Sequence, residues 1–252
     1  MDWVDVMLLV GPLVATIGGL WALQRFVPHP VRVAHNDVAG FIFAVVGVLY
    51  AVLLAFVVIS VWENVEKARE HTFAEASALA GVYWNSRQMP LPEGGALERL
   101  SVQYAHTVID SEWKLMESHR TDPEVTALMY RIRETAANSD PAPGKQMVVY
   151  DHTTQGVEVL AAERRVRLDM IEDSVPPLLW AAIVLGAVVT VGFTFLFGVA
   201  RLRVHVVMAL SLVVLISVSI IAIRALDYPF GGLYRVEPTA FEVFLSNLPA
   251  PR

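Results

Sequence analysis

The sequence contains no cysteine among its 252 residues. Disulfide bonds, thiolate metal sites and thiol nucleophiles are therefore excluded. Charged residues are also scarce, at 17% of the chain, whereas an ordinary soluble domain has about 25%. The net charge of −6 comes without any long basic segment, and this argues against nucleic acid as a partner.

Motifs that carry catalysis or hold a cofactor are missing as well. The sequence has no Glu-x-x-His pair of the kind found in di-iron bundles. It also lacks His-Glu-x-x-His, Gly-x-Ser-x-Gly and a phosphate-binding glycine loop, and its seven histidines are scattered. We therefore predict no catalytic residues, no metal site and no cofactor, in a protein that is not an enzyme.

The run between Asp37 and Glu63 contains neither a charged residue nor a proline. It is long enough to cross a hydrocarbon core of about 30 Å as a helix. In lipid a single segment satisfies its backbone only as a helix, so this requirement overrules the strand preference of its Val and Ile residues. Three further apolar runs, residues 6–23, 178–199 and 206–226, predict additional spans. The chain is thus expected to be an integral membrane protein. Its richness in Ala, Val and Arg indicates a GC-rich bacterial source, so the expected location is the bacterial cell membrane.

Polar residues concentrate in the centre of the chain, where helical periodicity predicts four helices. The first continues from the second span to Met89, the second covers 96–118, the third begins at Asp122-Pro123-Glu124, and the fourth covers 145–173. Four helices can bury a core against one another. The predicted fold is all-α, with four transmembrane helices and a helical-bundle insertion between the second and third spans. The corresponding segments are 1–62 for the first transmembrane pair, 63–173 for the insertion, 174–226 for the second pair and 227–252 for a C-terminal tail.

The spacing of apolar residues predicts the buried side of the last two helices of the insertion. The predicted buried residues are Val125, Leu128, Met129, Ile132 and Ala136 in one, and Val148, Val159, Ala162, Val166 and Met170 in the other. His152 falls on the apolar side of the latter, where a hydrogen-bonded core histidine is favoured over a metal ligand. The cluster from Glu163 to Arg167 then lies on a solvated face, or forms a basic vestibule that concentrates anions.

Small residues recur every four positions on two of the spans. The second span carries Gly47, Ala51 and Ala55, and the third carries Ala182, Gly186, Thr190, Thr194 and Gly198. Such stripes let helix backbones approach closely in lipid. Either the four spans of one chain pack through these stripes, or at least one stripe packs between subunits.

Charged and polar residues mark the ends of the second and fourth spans: His35, Asp37, Glu63, Arg224 and Asp227. His35 with Asp37 forms either an interfacial helix cap or a charged ring at a pore entrance. Arg224 lies three residues before Asp227, so the two can share a helix face or meet across a turn. The arginine either extends to the membrane interface or marks an ion path.

Two rules for the orientation of the insertion disagree. The short turns contain Arg25, Arg32, Arg201 and Arg203, which predicts cytoplasmic turns and an extracytoplasmic bundle with both termini on the same side. Basic residues that flank the bundle favour the reverse: Lys67, Arg69, Arg164, Arg165 and Arg167. The count over the short turns favours the extracytoplasmic bundle.

Two blocks of residues resemble the bacterial bestrophin-like membrane family. The first block contains Asp37, Gly40, Gly47, Tyr50-Ala51, Phe56, Trp62-Glu63 and Glu75-Ala76; the second contains Leu179-Trp180, Gly186, Gly192 and the motif Asp227-Tyr-Pro229-Phe230-Gly-Gly232. The resemblance implies a distant relation to bestrophins, which are oligomeric anion channels with two spans, a cytoplasmic helical insertion and two further spans, the second span lining the pore. This chain departs from them in two respects, since it lacks an Ile-Pro neck motif in the second span and a calcium-binding acidic cluster after the fourth.

We therefore expect a homo-oligomeric ion channel or channel-like protein, conducting anions by resemblance. The expected pore-lining or helix-contact residues are Gly40, Gly47, Tyr50, Ala51 and Ala55. Its partners would be the lipid bilayer, other copies of itself and inorganic ions, but not nucleic acid. The alternative is a membrane sensor or scaffold whose helical bundle binds a ligand or a partner protein.

Overall fold

A computed structural model describes residues 3–26, 33 and 35–249, and the regular structure of this part of the chain is helical without strands. The helices are α1 (Trp3–Phe26), α2 (Asn36–Ser86), α3 (Glu93–Thr107), α4 (Trp113–Met116), α5 (Pro123–Ala137), α6 (Lys145–Asp169), α7 (Pro177–Leu196), α8 (Leu202–Leu226) and α9 (Thr239–Ser246). A π-helical turn, Val108–Glu112, joins α3 to α4. The predicted all-α class is confirmed.

The chain divides into two compact units. The first, here called the span unit, contains Met1–Trp62 and Ser174–Asp227; the second, the bundle unit, contains Glu63–Asp173 and Tyr228–Arg252. The long helix α2 contributes to both, because it continues without interruption through the residues where one unit ends and the other begins.

Four helices are long and apolar enough to cross a membrane: Trp3–Phe26, Asn36–Ser86, Pro177–Thr194 and Leu202–Leu226. Within the span unit, α8 packs against α1 and α7. The four predicted spans are therefore confirmed, and α7 begins with Pro177 at a position where the first turn of a helix tolerates proline. The fourth span begins earlier than predicted, since His205 lies within α8, buried, with Nε2 2.8 Å from the carbonyl oxygen of Thr194.

The prediction for α5 is confirmed in detail. The Asp122 side chain accepts a hydrogen bond of 2.8 Å from the backbone N–H of Glu124, which caps the helix, and Pro123 follows as its first residue. All five residues predicted to be buried are buried. Local sequence signals were sufficient here because the cap and the apolar stripe lie within one segment.

The predicted buried side of α6 was wrong. Val148 and Val159 are 55% and 43% exposed, Ala162 and His152 are exposed as well, and of the five predicted residues only Met170 is buried. The buried side instead consists of Val149, Thr153, Val157, Leu160, Arg164 and Arg167. The error arose from treating arginine as obligatorily solvated, whereas two arginines of α6 are neutralised inside the bundle.

The segment after Asp227, for which the sequence predicted no helix, completes the core of the bundle unit. Phe230 and Phe241 are fully buried, and the carbonyl oxygen of Val236 accepts a 3.0 Å hydrogen bond from the Trp113 indole. Glycine is required at Gly232, where φ is 76°. The chain thus folds back through this turn, and α9 packs against α3 and the π-helical turn.

Candidate functional site

An apolar groove of about 630 Å³ in the span unit contains four of the five predicted pore-lining or helix-contact residues. Gly47, Tyr50, Ala51 and Ala55 lie on the α2 wall of the groove. The remaining walls come from Thr190 of α7 and from Leu212, Leu215, Ile216 and Ser219 of α8. The fifth residue, Gly40, lies nearer the start of α2, where an added Cβ would be 3.8 Å from the ring of Phe197.

Tyr50 packs against another helix of the described chain, whereas its small neighbours on α2 do not. Its side chain is only 7% exposed and lies on Gly186 of α7, where an added Cβ would come within 2.6 Å of ring atom Cε2. The small-residue stripe of the third span therefore packs against α2 of the same chain at Gly186. At this position the contact is within one chain, which is the first of the two alternatives given for the stripe. Ala51 and Ala55, by contrast, are exposed, and an added Cβ on Gly47 would meet no atom within 4 Å among the described residues.

The close contact at Gly186 makes a specific prediction. Gly186→Ala should destabilise the protein by about 1–3 kcal/mol, because the new methyl group forces the Tyr50 ring and the two helices apart. Gly192→Ala is the control on the same helix, since its Cβ would meet no described atom within 4 Å. Thermal unfolding of the purified protein in detergent measures both variants. Equal stability of the two variants would contradict the tight contact.

The start of α2 is held by Asn36. Its side-chain amide donates to the carbonyl oxygen of Gly198 at 3.2 Å, and its side-chain oxygen accepts from the N–H of Gly198 at 2.8 Å. His35 and Asp37 on either side of it are exposed. Glu63, the acidic residue that follows the uncharged run, is also exposed. The amide of Asn36 thus fixes the position of this helix start, while its charged neighbours face outward.

Arg224 and Asp227 connect the end of α8 to two different segments. Arg224 forms an ion pair with Asp5 of α1, whose side chain is 6% exposed. The carboxylate of Asp227 accepts a 2.6 Å hydrogen bond from the backbone N–H of Val175, in the segment before α7. Through these two residues, α8 is linked both to the start of α1 and to the entry of α7.

The cluster from Glu163 to Arg167 is not the solvated face that the sequence predicted. Arg165 is exposed and Glu163 is half-buried, but Arg164 and Arg167 are 4% and 0% exposed. Both arginines point into the core of the bundle unit, so they cannot line a basic vestibule. The two arginines are spaced i, i+3 and lie on the same helix face as Val157 and Leu160. This spacing was the sequence signal that could have placed them in the core.

Two buried carboxylates neutralise these arginines. Glu112 binds Arg164 through two hydrogen bonds of 2.7 Å and binds Arg167 at 2.9 Å. Glu75 of α2 binds Arg167 at 2.5 and 3.0 Å and accepts a 2.5 Å hydrogen bond from the Tyr104 hydroxyl. Glu75, Tyr104, Glu112, Arg164 and Arg167 are here called the buried ion-pair network.

The network carries two negative and two positive charges, and aromatic rings enclose it. The Arg167 guanidinium lies 5.3 Å from the ring centre of Trp113 and 6.0 Å from that of Phe241. Burial alone raises the pKa of Glu112, but Arg167 and Arg164 outweigh it, so this pKa is lowered. Burial and the Glu75 carboxylate raise the pKa of Tyr104 well above its usual value. The Glu112 carboxylate is therefore ionised and the Tyr104 phenol is neutral at physiological pH.

The network joins four segments of the bundle unit. Glu112 is in the π-helical turn, and π-helical turns are often found at functional sites. The turn here serves to bring the Glu112 carboxylate onto the two arginines of α6. Among residues 3–26, 33 and 35–249, no group of three His, Asp or Glu side chains is placed to hold a metal ion.

Comparison with known proteins identifies related folds. The family model of the Bestrophin-like domain matches residues 10–241. The crystal structure of a bacterial bestrophin homologue from Klebsiella pneumoniae is similar with a TM-score of 0.69 at 11% identity, covering 93% of this chain and 95% of that one. A mutant of that homologue gives 0.72 at 13% identity, covering 96% and 97%. A crystal structure of a membrane protein gives 0.71 at 12% identity, covering 98% and 97%. A comparison with curated protein sequences gave no significant match.

Proposed function

Since the Bestrophin-like model covers most of its length, the chain belongs to this family, and we propose that it is a homo-oligomeric membrane channel that conducts anions through a pore lined by α2. One observation supports this proposal above all. Gly47, Ala51 and Ala55 form a face of α2 that is free of charge along the whole span and remains open within one chain. Small uncharged residues leave room for ions at an axis surrounded by several copies of this helix.

The Gly186 contact supports the same role for α2. Because Tyr50 packs on α7 within the chain, the rotation of α2 about its own axis is set before any subunits associate. Ala51 and Ala55 are thereby left exposed on the wall of the groove. The exposed charges at the two ends, Asp37 and Glu63, would form rings at the pore mouths.

Planar-bilayer recording of the purified oligomer tests conduction directly. We expect single-channel currents whose reversal potential under a KCl gradient moves toward the chloride equilibrium potential. Absence of conductance from a preparation shown to be oligomeric would overturn the channel function. A reversal potential near that of potassium would retain the channel but reject anion conduction.

The absence of cysteine from the chain allows the pore-lining helix to be tested in the native background. Ala51→Cys or Ala55→Cys should make the current sensitive to a charged thiol reagent, with at least about tenfold block, because a bulky charge in a narrow apolar pore opposes ion entry. Val188→Cys on α7, where Val188 is 64% exposed, is the control and should conduct unchanged. Block at Val188 instead of at α2 would show that another helix lines the pore.

The orientation of the bundle is a separate part of the proposal. The arginines of the short turns favour an extracytoplasmic bundle, whereas bestrophins keep their insertion in the cytoplasm. A cysteine introduced at the exposed Thr121 distinguishes the two orientations. Its labelling by an impermeant maleimide in intact cells would indicate the extracytoplasmic side.

A further inference from the structure

A second cavity, in the bundle unit, has a composition unlike that of the membrane groove. It is a pocket of about 360 Å³ between α3 and α5, which is within the size range of small-molecule sites. Its lining residues follow the spacing i, i+3, i+4 and i+7 on each helix, so each helix presents one face to it. The pocket lies outside the buried ion-pair network and shares none of its residues.

Two arginines line this pocket, Arg99 on α3 and Arg131 on α5. Both are exposed, and neither forms an ion pair within the part of the chain that the structure describes. Other exposed arginines of this unit do have partners, as with Arg133, which pairs with Glu158 at 2.6 Å. The positive charge of the pocket is therefore available to a ligand.

The pocket also contains other polar groups, of which the Thr135 hydroxyl already donates to the backbone carbonyl of Arg131. Gln103 and Asn138 contribute side-chain amides, while Glu134 is the single acidic residue of the lining. Glu134 forms no ion pair with either arginine in the described structure, so the lining carries a net charge of about +1 at neutral pH. Each guanidinium presents paired N–H donors that match two oxygens of a carboxylate or phosphate.

From this lining we infer that the pocket binds a small oxyanion, such as a phosphate group or a carboxylate, with Arg99 and Arg131 as its cationic ligands. Chloride and other monatomic anions match the pocket less well, because they cannot accept two parallel N–H donors on separate oxygens. The carboxylate of Glu134 opposes the anion and sets an upper limit on its affinity. This inference does not depend on ion conduction, since it concerns a site that the full chain in detergent would also present.

Titration calorimetry of the full-length protein with inorganic phosphate, in low-salt buffer, tests the site. Arg99→Gln and Arg131→Gln should each weaken binding by about tenfold, because each removes one charge-assisted pair of hydrogen bonds. Glu134→Gln should strengthen binding by roughly threefold, because it removes a repulsive charge near the surface. Arg133→Gln, on the same helix but paired with Glu158, is the matched control and should bind as the wild type does.

The arginine variants and Glu134→Gln are expected to change phosphate affinity in opposite directions. Such opposite effects distinguish a specific site from a general attraction of phosphate to surface charge. All four side chains are exposed, so the variants should fold, and circular dichroism verifies this. Equal weakening by Arg133→Gln, unchanged binding in both Arg99→Gln and Arg131→Gln, or no phosphate binding by the wild type would each overturn the inference. If the wild-type protein binds phosphate but does not conduct in planar bilayers, the channel proposal alone is contradicted.

Discussion

Replacing Glu112 by glutamine is expected to destabilise the protein by about 3–5 kcal/mol. Glutamine keeps the size of the side chain but removes its charge. Arg167 would then keep the Glu75 carboxylate, whereas Arg164 would lose its carboxylate partner. One positive charge would be left without compensation in a core where both arginines are nearly inaccessible to water. Denaturant unfolding of the purified protein, monitored by tryptophan fluorescence, measures the loss.

The control for Glu112 is an exposed ion pair in the same unit. Glu158→Gln breaks the contact with Arg133, in which the side chains are 59% and 44% exposed. Exposed pairs of this kind contribute about 0–1 kcal/mol, so this variant should unfold almost as the wild type does. If the two substitutions destabilised the protein equally, burial of the network would not explain the large loss of stability expected for Glu112→Gln.

The Glu112 variant should also change the acid sensitivity of the protein. The lowered pKa of Glu112 in the folded state lies below the unfolded value of about 4.3. Its contribution to stability is therefore present above the unfolded pKa and is lost as the pH falls through the folded pKa. The wild type should lose stability steeply below about pH 4, and Glu112→Gln should lose less over the same interval, as unfolding curves at successive pH values would record.

Phe241→Ala is expected to cost about 3–5 kcal/mol, comparable to the loss at Glu112. The Phe241 side chain is fully buried, and its ring lies 6.4 Å from that of Tyr104 and 6.2 Å from that of Trp113, measured between centroids. Truncation leaves a cavity beside the buried ion-pair network and removes the ring that faces the Arg167 guanidinium. Thermal unfolding is the measurement.

Val243→Ala is the matched control on the same short helix. Val243 is 48% exposed, and its truncation removes little buried surface, so a change within about 0.5 kcal/mol is expected. If Phe241→Ala unfolded no earlier than Val243→Ala, α9 would be a peripheral appendage. The expected difference instead makes the segment after Asp227 part of the bundle core.

Predictions from the sequence succeeded where the signal lay within a single segment. The uncharged run from Asp37 to Glu63 predicted a membrane helix because the bilayer imposes both its length and its backbone hydrogen bonding. The start of α5 was predicted from Asp122 and Pro123, since a cap and a first-turn proline act within four residues.

Predictions failed where the environment of a residue comes from distant parts of the chain. Arg164 and Arg167 could be assigned to the core only once Glu75 and Glu112 were known to meet them, from 92 and 52 residues away. The helix that contains Phe241 was missed because its eight residues are too few to form a stable helix without tertiary contacts.

The sequence by itself determined that this chain spans a membrane four times and that polar helices separate the two pairs of spans. These properties follow from segment length and hydrophobicity, which each segment carries independently of its neighbours. The tertiary structure alone decided that Tyr50 packs on Gly186, that Ala51 and Ala55 stay exposed, and that α6 buries two of its arginines. Those outcomes depend on which side chains meet in space, because a charge becomes compatible with the interior only when its partner is brought to it.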